Sequence, residues 1–157
     1  MSTIGYRGCV TEPRWLSDTE MRTWLGYRRM RRLLDLKVNR DLAADAGLSE
    51  QDYDVLSILS DLPDQRLRVG ELSERLWWTR SGLSRHLGRM EQRGLVARED
   101  DPDDARATVV TLTNQGRDAI ADAAPGHVAS VRRHLIDRLT PAELQALGDI
   151  AAKVLDD

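Results

Sequence analysis

Apolar positions recur along this chain at helical spacing, interrupted once by a stretch of period two. Ser17 and Glu20 match a capping box, with Leu16 placed to staple against Met21, so a helix is expected from Ser17 to about Asp45, stopped by Gly47. Its apolar residues spread over two faces, Trp24, Tyr27, Leu34, Val38 and Leu42 on one and Met21, Leu25, Leu33 and Leu36 on the other. A helix that is greasy on two sides usually touches two bodies, here its own domain and a second copy of the chain. Ser49, with Asp52 at N3 and Leu48 facing Tyr53, opens a second helix that runs through Val55, Leu56 and Leu59 to about Leu62. Pro63-Asp64 ends it. Arg66–Val69 alternates like a short strand, and Gly70–Leu76 makes a short helix with Leu72 and Leu76 inward.

Trp77-Trp78 then forms a turn into Thr79–Gly94, where Leu83, Leu87 and Met90 make one narrow apolar stripe. Thr79 is the expected N-cap and Gly94 the C′ residue. Trp78 is expected to pack beneath this helix, and Trp77 to be half exposed, near the backbone of any DNA that binds. The outer face carries Ser81, Ser84, Arg85, Gly88, Arg89 and Gln92, with Arg80 at the first turn, and no carboxylate precedes Glu91. Such a face suits a DNA major groove. Arginine bridges guanine O6 and N7, serine adapts to base edges or phosphates, and a helix N-terminus receives a phosphate. The competing reading is a solvated surface helix. Two short helices joined by a tight turn, the second basic outside, make a helix-turn-helix.

After Gly94 the period becomes two. Leu95–Glu99 and Ala107–Leu112 read as strands around the turn DDPDDAR, a hairpin that forms a wing beside the helix. Arg106 is the candidate for a narrow minor groove. Glu99, Asp100, Asp101, Asp103 and Asp104 weigh against DNA unless they cap the turn or pair with Arg98 and Arg106. Thr113 caps a further helix through Arg117, Ile120 and Ala123, and Pro125-Gly126 predicts a kink or brief break. Helix resumes at Val128, Val131, Leu135 and Leu139. Thr140, Pro141 and Glu143 restart it once more, and Leu144, Leu147, Ile150, Ala151, Val154 and Leu155 form a broad apolar stripe. That stripe and the two-faced first helix would leave too much apolar surface on a monomer, so a homodimer is expected.

Charge sharpens the picture. The chain carries a formal −3, yet residues Arg66 to Arg98 hold eight arginines against Glu71, Glu74 and Glu91. That is a local surplus of five on a body of about −8, which implies one basic working surface. The run Arg28-Arg29-Met30-Arg31-Arg32 reads as a solvated helix face, with contact to phosphates as the competing reading. With 157 residues, 41% hydrophobic and 31% charged, the chain suits one soluble domain. Cys9 is its only cysteine, so no intrachain disulfide forms, and a cytoplasmic setting is expected. The start, MSTIGYRGCVTEPRW, lacks a signal pattern, and no apolar run suggests a membrane partner.

The run from Gly70 to Gly116 closely resembles the winged helix-turn-helix of MarR-type transcriptional regulators. Its landmarks are Leu72 and Leu76, Ser81-x-Leu83-Ser84-Arg85, Arg89-Met90-Glu91 with Arg93-Gly94-Leu95-Val96, the wing Pro102-x-Asp104-x-Arg106, and Val110-x-Leu112-Thr113-x-x-Gly116. The flanking helices extend the likeness more loosely over nearly the whole chain. The resemblance implies a mostly α fold with a small β-hairpin wing and N- and C-terminal dimerisation helices. It divides the single domain into an arm (1–16), a helical dimerisation region (17–46 and 117–157) and a winged helix-turn-helix (48–116). It also implies a homodimer on a pseudo-palindromic operator of double-stranded DNA. Thr79, Arg80, Ser81, Ser84, Arg85 and Arg89 are the candidate DNA contacts, Arg106 enters the minor groove, and Asp104 orients it. Ala105 stands where the family often has a second wing arginine, which weakens that contact. Most members are repressors, and many release DNA on binding a small aromatic or phenolic effector or on oxidation of a cysteine.

Effector chemistry is weakly written. Trp15, Trp24, Tyr27 and Arg28 are candidates to line a pocket for an aromatic acid, with ordinary packing as the competing reading. His127 and His134 can share a helix face, but no third ligand is spaced for zinc, so no metal and no cofactor are expected. His86 reads as a packing or phosphate residue. Cys9 has only Arg7 nearby to favour a thiolate, and a redox-responsive regulator acting through it is one alternative. A winged helix that binds protein instead of DNA is the other alternative. An enzyme is not expected, because no phosphate-cradling loop, metal cluster or nucleophile motif is present.

Overall fold

Capping chemistry written in the sequence sets most element boundaries in the computed structural model, which describes residues 13–156. The elements in chain order are α1 (Asp18–Ala46), α2 (Glu50–Ser60), β1 (Arg66–Arg68), α3 (Val69–Leu76), α4 (Arg80–Gln92), β2 (Val96–Asp101), β3 (Asp104–Leu112), α5 (Asn114–His134), a 3-10 turn (Ile136–Arg138) and α6 (Pro141–Leu155). The fold is mostly helical, with one small antiparallel sheet in the order β1-β3-β2. Among the described residues the chain divides inside α1, into one unit that ends at Leu33 and a second that begins at Leu34.

In the first unit, the Ser17 backbone N–H donates to Glu20 Oε2 at 2.7 Å, and the Glu20 N–H donates to Ser17 Oγ at 3.3 Å, which starts α1. Every described residue from Pro13 to Leu33 is exposed. The expected staple of Leu16 on Met21 buries neither residue. Met21, Trp24, Leu25, Tyr27, Met30 and Leu33 thus present apolar side chains to solvent.

The second unit holds the core. Leu83, Leu87 and Met90 of α4 are fully buried against Leu72 of α3, Val55, Leu56 and Leu59 of α2, and Val96, Val110 and Leu112 of the sheet. Ile120 and Ala123 bring α5 onto the same cluster. Gly94 ends α4 with φ +72°, and the Gly94 and Leu95 N–H groups close back on Glu91 and Met90 carbonyls, a glycine C-cap. The start of α5 docks there: the Thr113 hydroxyl donates to the Gly94 carbonyl at 2.6 Å and accepts the Gly116 N–H at 2.9 Å. A methyl group added at Gly116 would collide with the Leu95 carbonyl, so only glycine fits this approach.

Three local expectations need correction. Helix α5 continues through Pro125 without the brief break that was one of the two expectations there. Both Pro125 and Ala121 face solvent, so the carbonyl that loses a partner to proline's missing N–H is not buried. The helix ends at His134, short of Leu139. The hairpin is tighter than the turn DDPDDAR suggested: Asp101 pairs with Asp104, and only Pro102 and Asp103 form the loop.

One buried carboxylate links α2 to α4. Asp52 Oδ2 accepts the Ser49 N–H at 2.9 Å and the Arg93 Nη1–H at 2.7 Å, while Arg93 Nη2 donates to the Gly47 carbonyl at 3.0 Å. His86 Nε2 lies 3.1 Å from Asp52 Oδ1 but off the hydrogen-bond direction. Burial, only partly offset by Asp52, pushes His86 below the ordinary imidazole range. His86 is therefore a packing residue, edge-on to Trp78 with ring centres 5.6 Å apart. Burial alone would raise the Asp52 carboxyl, but the Ser49 N–H and the Arg93 guanidinium together hold it below the ordinary range. A carboxyl depressed by folding adds stability that is complete above its unfolded pKa, about 3.9, and is lost as pH falls through the folded value. Urea unfolding is expected to show this loss beginning near about pH 4 and deepening below it. Asp52→Asn should flatten that limb, and an unchanged acid limb in the variant would remove Asp52 as its source.

Candidate nucleic-acid interface

Thr79 fixes where the exposed face of α4 begins. Its Oγ1 accepts the Gly82 N–H at 3.2 Å and so caps the helix beside the free N–H groups of the first turn. Burial of Leu83, Leu87 and Met90 leaves Arg80, Ser81, Ser84 and Arg85 exposed along the opposite side. Among the described residues, neither Arg80 nor Arg85 nor Arg106 makes an ion pair.

Between α3, α4 and the hairpin lies a cleft of about 470 Å3. Arg80 and Ser84 enter it from α4, Asp104 and Arg106 from the wing, and Glu71 and Glu74 from α3. The Arg80 guanidinium lies over Gly70, 3.5 Å from where a Cβ would stand, an ordinary contact distance. Asp104 acts on Arg106 through the backbone: its Oδ1 accepts the Arg106 N–H at 3.0 Å, which shapes the turn and leaves the guanidinium exposed.

Two arginines absent from the sequence-based candidates brace this cleft. Arg98 of β2 donates to Glu91 of α4 through Nε at 3.1 Å and Nη2 at 2.8 Å, and through Nη1 to the Ser84 carbonyl at 3.3 Å. Those bonds hold the Glu91 carboxyl below its ordinary range. Arg68 of β1 donates from Nε to Asp101 Oδ2 at 2.6 Å. Asp101 Oδ1 also accepts the Asp103 N–H at 2.8 Å, and this bond, then Arg68, lowers its pKa. Asp101 therefore caps the turn, one of the two roles the sequence offered, while its ion pair is with Arg68 and not with Arg98 or Arg106. The wing's alternation put Arg98 on one face, but the register that aims Arg68 at Asp101 is set by β1 pairing with β3, which local pattern does not encode.

Arg89 stands apart from the other candidates. Its Nη2 lies 3.0 Å from His86 Nδ1, and it lines a second cleft of about 910 Å3 with Trp78, Asp52, His86 and Arg93. Trp24 and Tyr27 stack at 5.9 Å with Arg28 over the Trp24 ring, an open ledge on α1, and Trp15 is 83% exposed. Trp77 is 80% exposed, not half. His127 stacks on Tyr53 at 4.0 Å, and His134 Nε2 meets Asp41 Oδ2 at 2.8 Å beside Ser130. Cys9 lies outside the described residues. Among the described residues no helix is long and apolar enough to cross a membrane.

This arrangement matches known proteins closely. The solved structure of Sco3205, a MarR family transcriptional regulator from Streptomyces coelicolor in complex with DNA, superposes with a TM-score of 0.88 and 40% identity, over 91% of this chain and 89% of that one. The chain belongs to the MarR family. The MarR family model matches residues 46–107, which run from the end of α1 into the wing. The transcriptional regulator HosA of Escherichia coli O111:H- is 30% identical over 131 residues, 83% of this chain and 94% of HosA. The HTH-type transcriptional repressor YetL of Bacillus subtilis is 29% identical over 110 residues, 68% of this chain, and the match spans 66% of YetL. MarR members are transcriptional regulators rather than enzymes. Within that family frame, α4 is the second helix of the helix-turn-helix and β2–β3 is the wing.

Proposed function

We propose that this MarR-family chain is a homodimeric, sequence-specific DNA-binding repressor that reads a pseudo-palindromic operator. The observation that carries the reading is the cleft between α4 and the wing, where Arg80, Ser84 and Arg106 converge beside the exposed Ser81 and Arg85. Guanidiniums without acidic partners are available to base edges and phosphates, and the hairpin projects the Arg106 side chain toward a flanking minor groove. The DNA seen with Sco3205 and the repressor role in YetL's name support the same reading. The dimer is supported by uncovered apolar surface. Leu144, Ile150, Val154 and Leu155 of α6 are exposed, as are Met21, Trp24, Leu25 and Leu33 of α1, and a second copy would cover such faces about a two-fold axis.

Release by a small aromatic or phenolic acid fits the larger cleft. An indole, a largely buried imidazole and two guanidiniums line it, and α4 forms one wall. An occupant there would press on the helix that meets DNA, and the volume suits a small ligand. Trp15, Trp24, Tyr27 and Arg28 remain the alternative wall once a second copy adjoins them.

The deciding experiment is a mobility-shift assay with DNA from upstream of the chain's own gene, repeated over a range of salt and with phenolic acids. A specific shift that weakens steeply with salt is expected. Equal binding to unrelated DNA, or none at low salt, defeats the reading.

A further inference from the structure

Trp77 occupies a backbone position that favours glycine. It follows the last residue of α3 with φ +57° and ψ +32°, the left-handed conformation. The Trp77 N–H donates to the Glu74 carbonyl at 3.2 Å and the Trp78 N–H to the Ser73 carbonyl at 3.0 Å, the two closing bonds of a Schellman turn. At that C′ position a residue with a Cβ is strained, and a bulky one more so. Gly47 and Gly94 fill the corresponding left-handed positions after α1 and α4. The fold does not recover this cost by burying the indole, since Trp77 is 80% exposed while its neighbour Trp78 packs. Among the described residues no aromatic ring stacks on Trp77 and no cation lies over it. A residue that strains its backbone and exposes its ring is best explained by a contact outside the subunit.

Its place in the chain selects that contact. Trp77 lies two residues before Thr79, the cap of α4, and three before Arg80. It therefore stands at the end of α4 that carries Arg80, Ser81 and Ser84, the end assigned to the groove. We propose that Trp77 is a DNA-positioning residue: its indole lies on the sugar-phosphate backbone at the groove edge, and its Nε1–H donates to a phosphate oxygen. This rests on the DNA-binding reading above. Tryptophan suits the task because its ring covers deoxyribose while its one N–H is a donor without charge. The contact carries no base information, so it adds affinity to operator and unrelated duplex alike.

The test is Trp77→Gly in the full-length protein. If Trp77 serves only the fold, the variant loses stability or changes nothing. The proposal instead expects opposite signs: a higher melting temperature, from relief of the left-handed strain, and DNA binding weaker by about fivefold. The loss should be equal for the upstream fragment and for an unrelated duplex at low salt. The slope of log Kd against log salt should be unchanged, because no cation is removed. Trp77→Asn, which tolerates the left-handed region, should repeat both effects. Unchanged affinity, a lowered melting temperature, a changed salt slope, or dissociation of the dimer in sedimentation would each overturn the proposal. Parent protein that fails on both duplexes would remove the DNA-binding reading itself. A bound parent with an equally tight Trp77→Gly variant removes only the role of Trp77.

Discussion

Gly116→Ala is expected to lower the unfolding free energy by about 3 kcal/mol, the high end of what an added methyl costs in a packed site. The reason is a collision with backbone, which has no rotamer to yield: the new Cβ would overlap the Leu95 carbonyl and crowd Leu112 Cδ1. That carbonyl already accepts the Thr113 N–H at 3.3 Å, so it cannot turn away without losing a bond that seats the start of α5. Chemical denaturation followed by circular dichroism measures the loss. A midpoint within error of the parent would mean that the α5 start shifts freely, and that its docking on the Gly94–Leu95 turn is loose.

Arg85→Ala is expected to weaken operator binding by about 1–3 kcal/mol, roughly 5- to 150-fold, and to relax preference at one base position. Arg85 projects from the exposed side of α4, opposite the buried Leu83 and Leu87, and makes no ion pair among the described residues. Its removal leaves no buried charge behind, so the melting temperature should stay close to that of the parent. Competition binding against single-base variants of the operator reads the specificity change. If the variant keeps both affinity and selectivity, α4 is not the helix that reads sequence.

The two variants also show what was legible in the chain and what was not. Caps are local, so Ser49 with Asp52, Thr79, Thr113, and Thr140 with Glu143 announced their helices within four residues of sequence. The stripe of Leu83, Leu87 and Met90 likewise oriented α4 from spacing alone. Longer-range partners were hidden. Nothing near Asp52 announces Arg93, which is 41 residues away, and nothing in the acidic wing says that Asp101 will turn inward to Arg68, 33 residues earlier. Pro125 does not break α5, because its effect depends on whether the freed carbonyl faces protein or solvent, which only tertiary structure decides. The grouping of Arg80 and Ser84 with Arg106 was legible as chemistry, but the cleft that joins them depends on Arg98 and Glu91, whose pairing sequence spacing did not single out.

The braces at Arg98–Glu91 and Arg68–Asp101 have a mechanical consequence. Arg98–Glu91 ties the hairpin root to α4 and Arg68–Asp101 ties its tip to β1, so helix and hairpin form a stiff two-pronged tool on one sheet. Bending one prong alone would sever charge-assisted bonds, whereas swinging the whole tool would not. Were two copies to pair as proposed, control would be cheapest at the mountings, through the spacing between two tools rather than the shape of either.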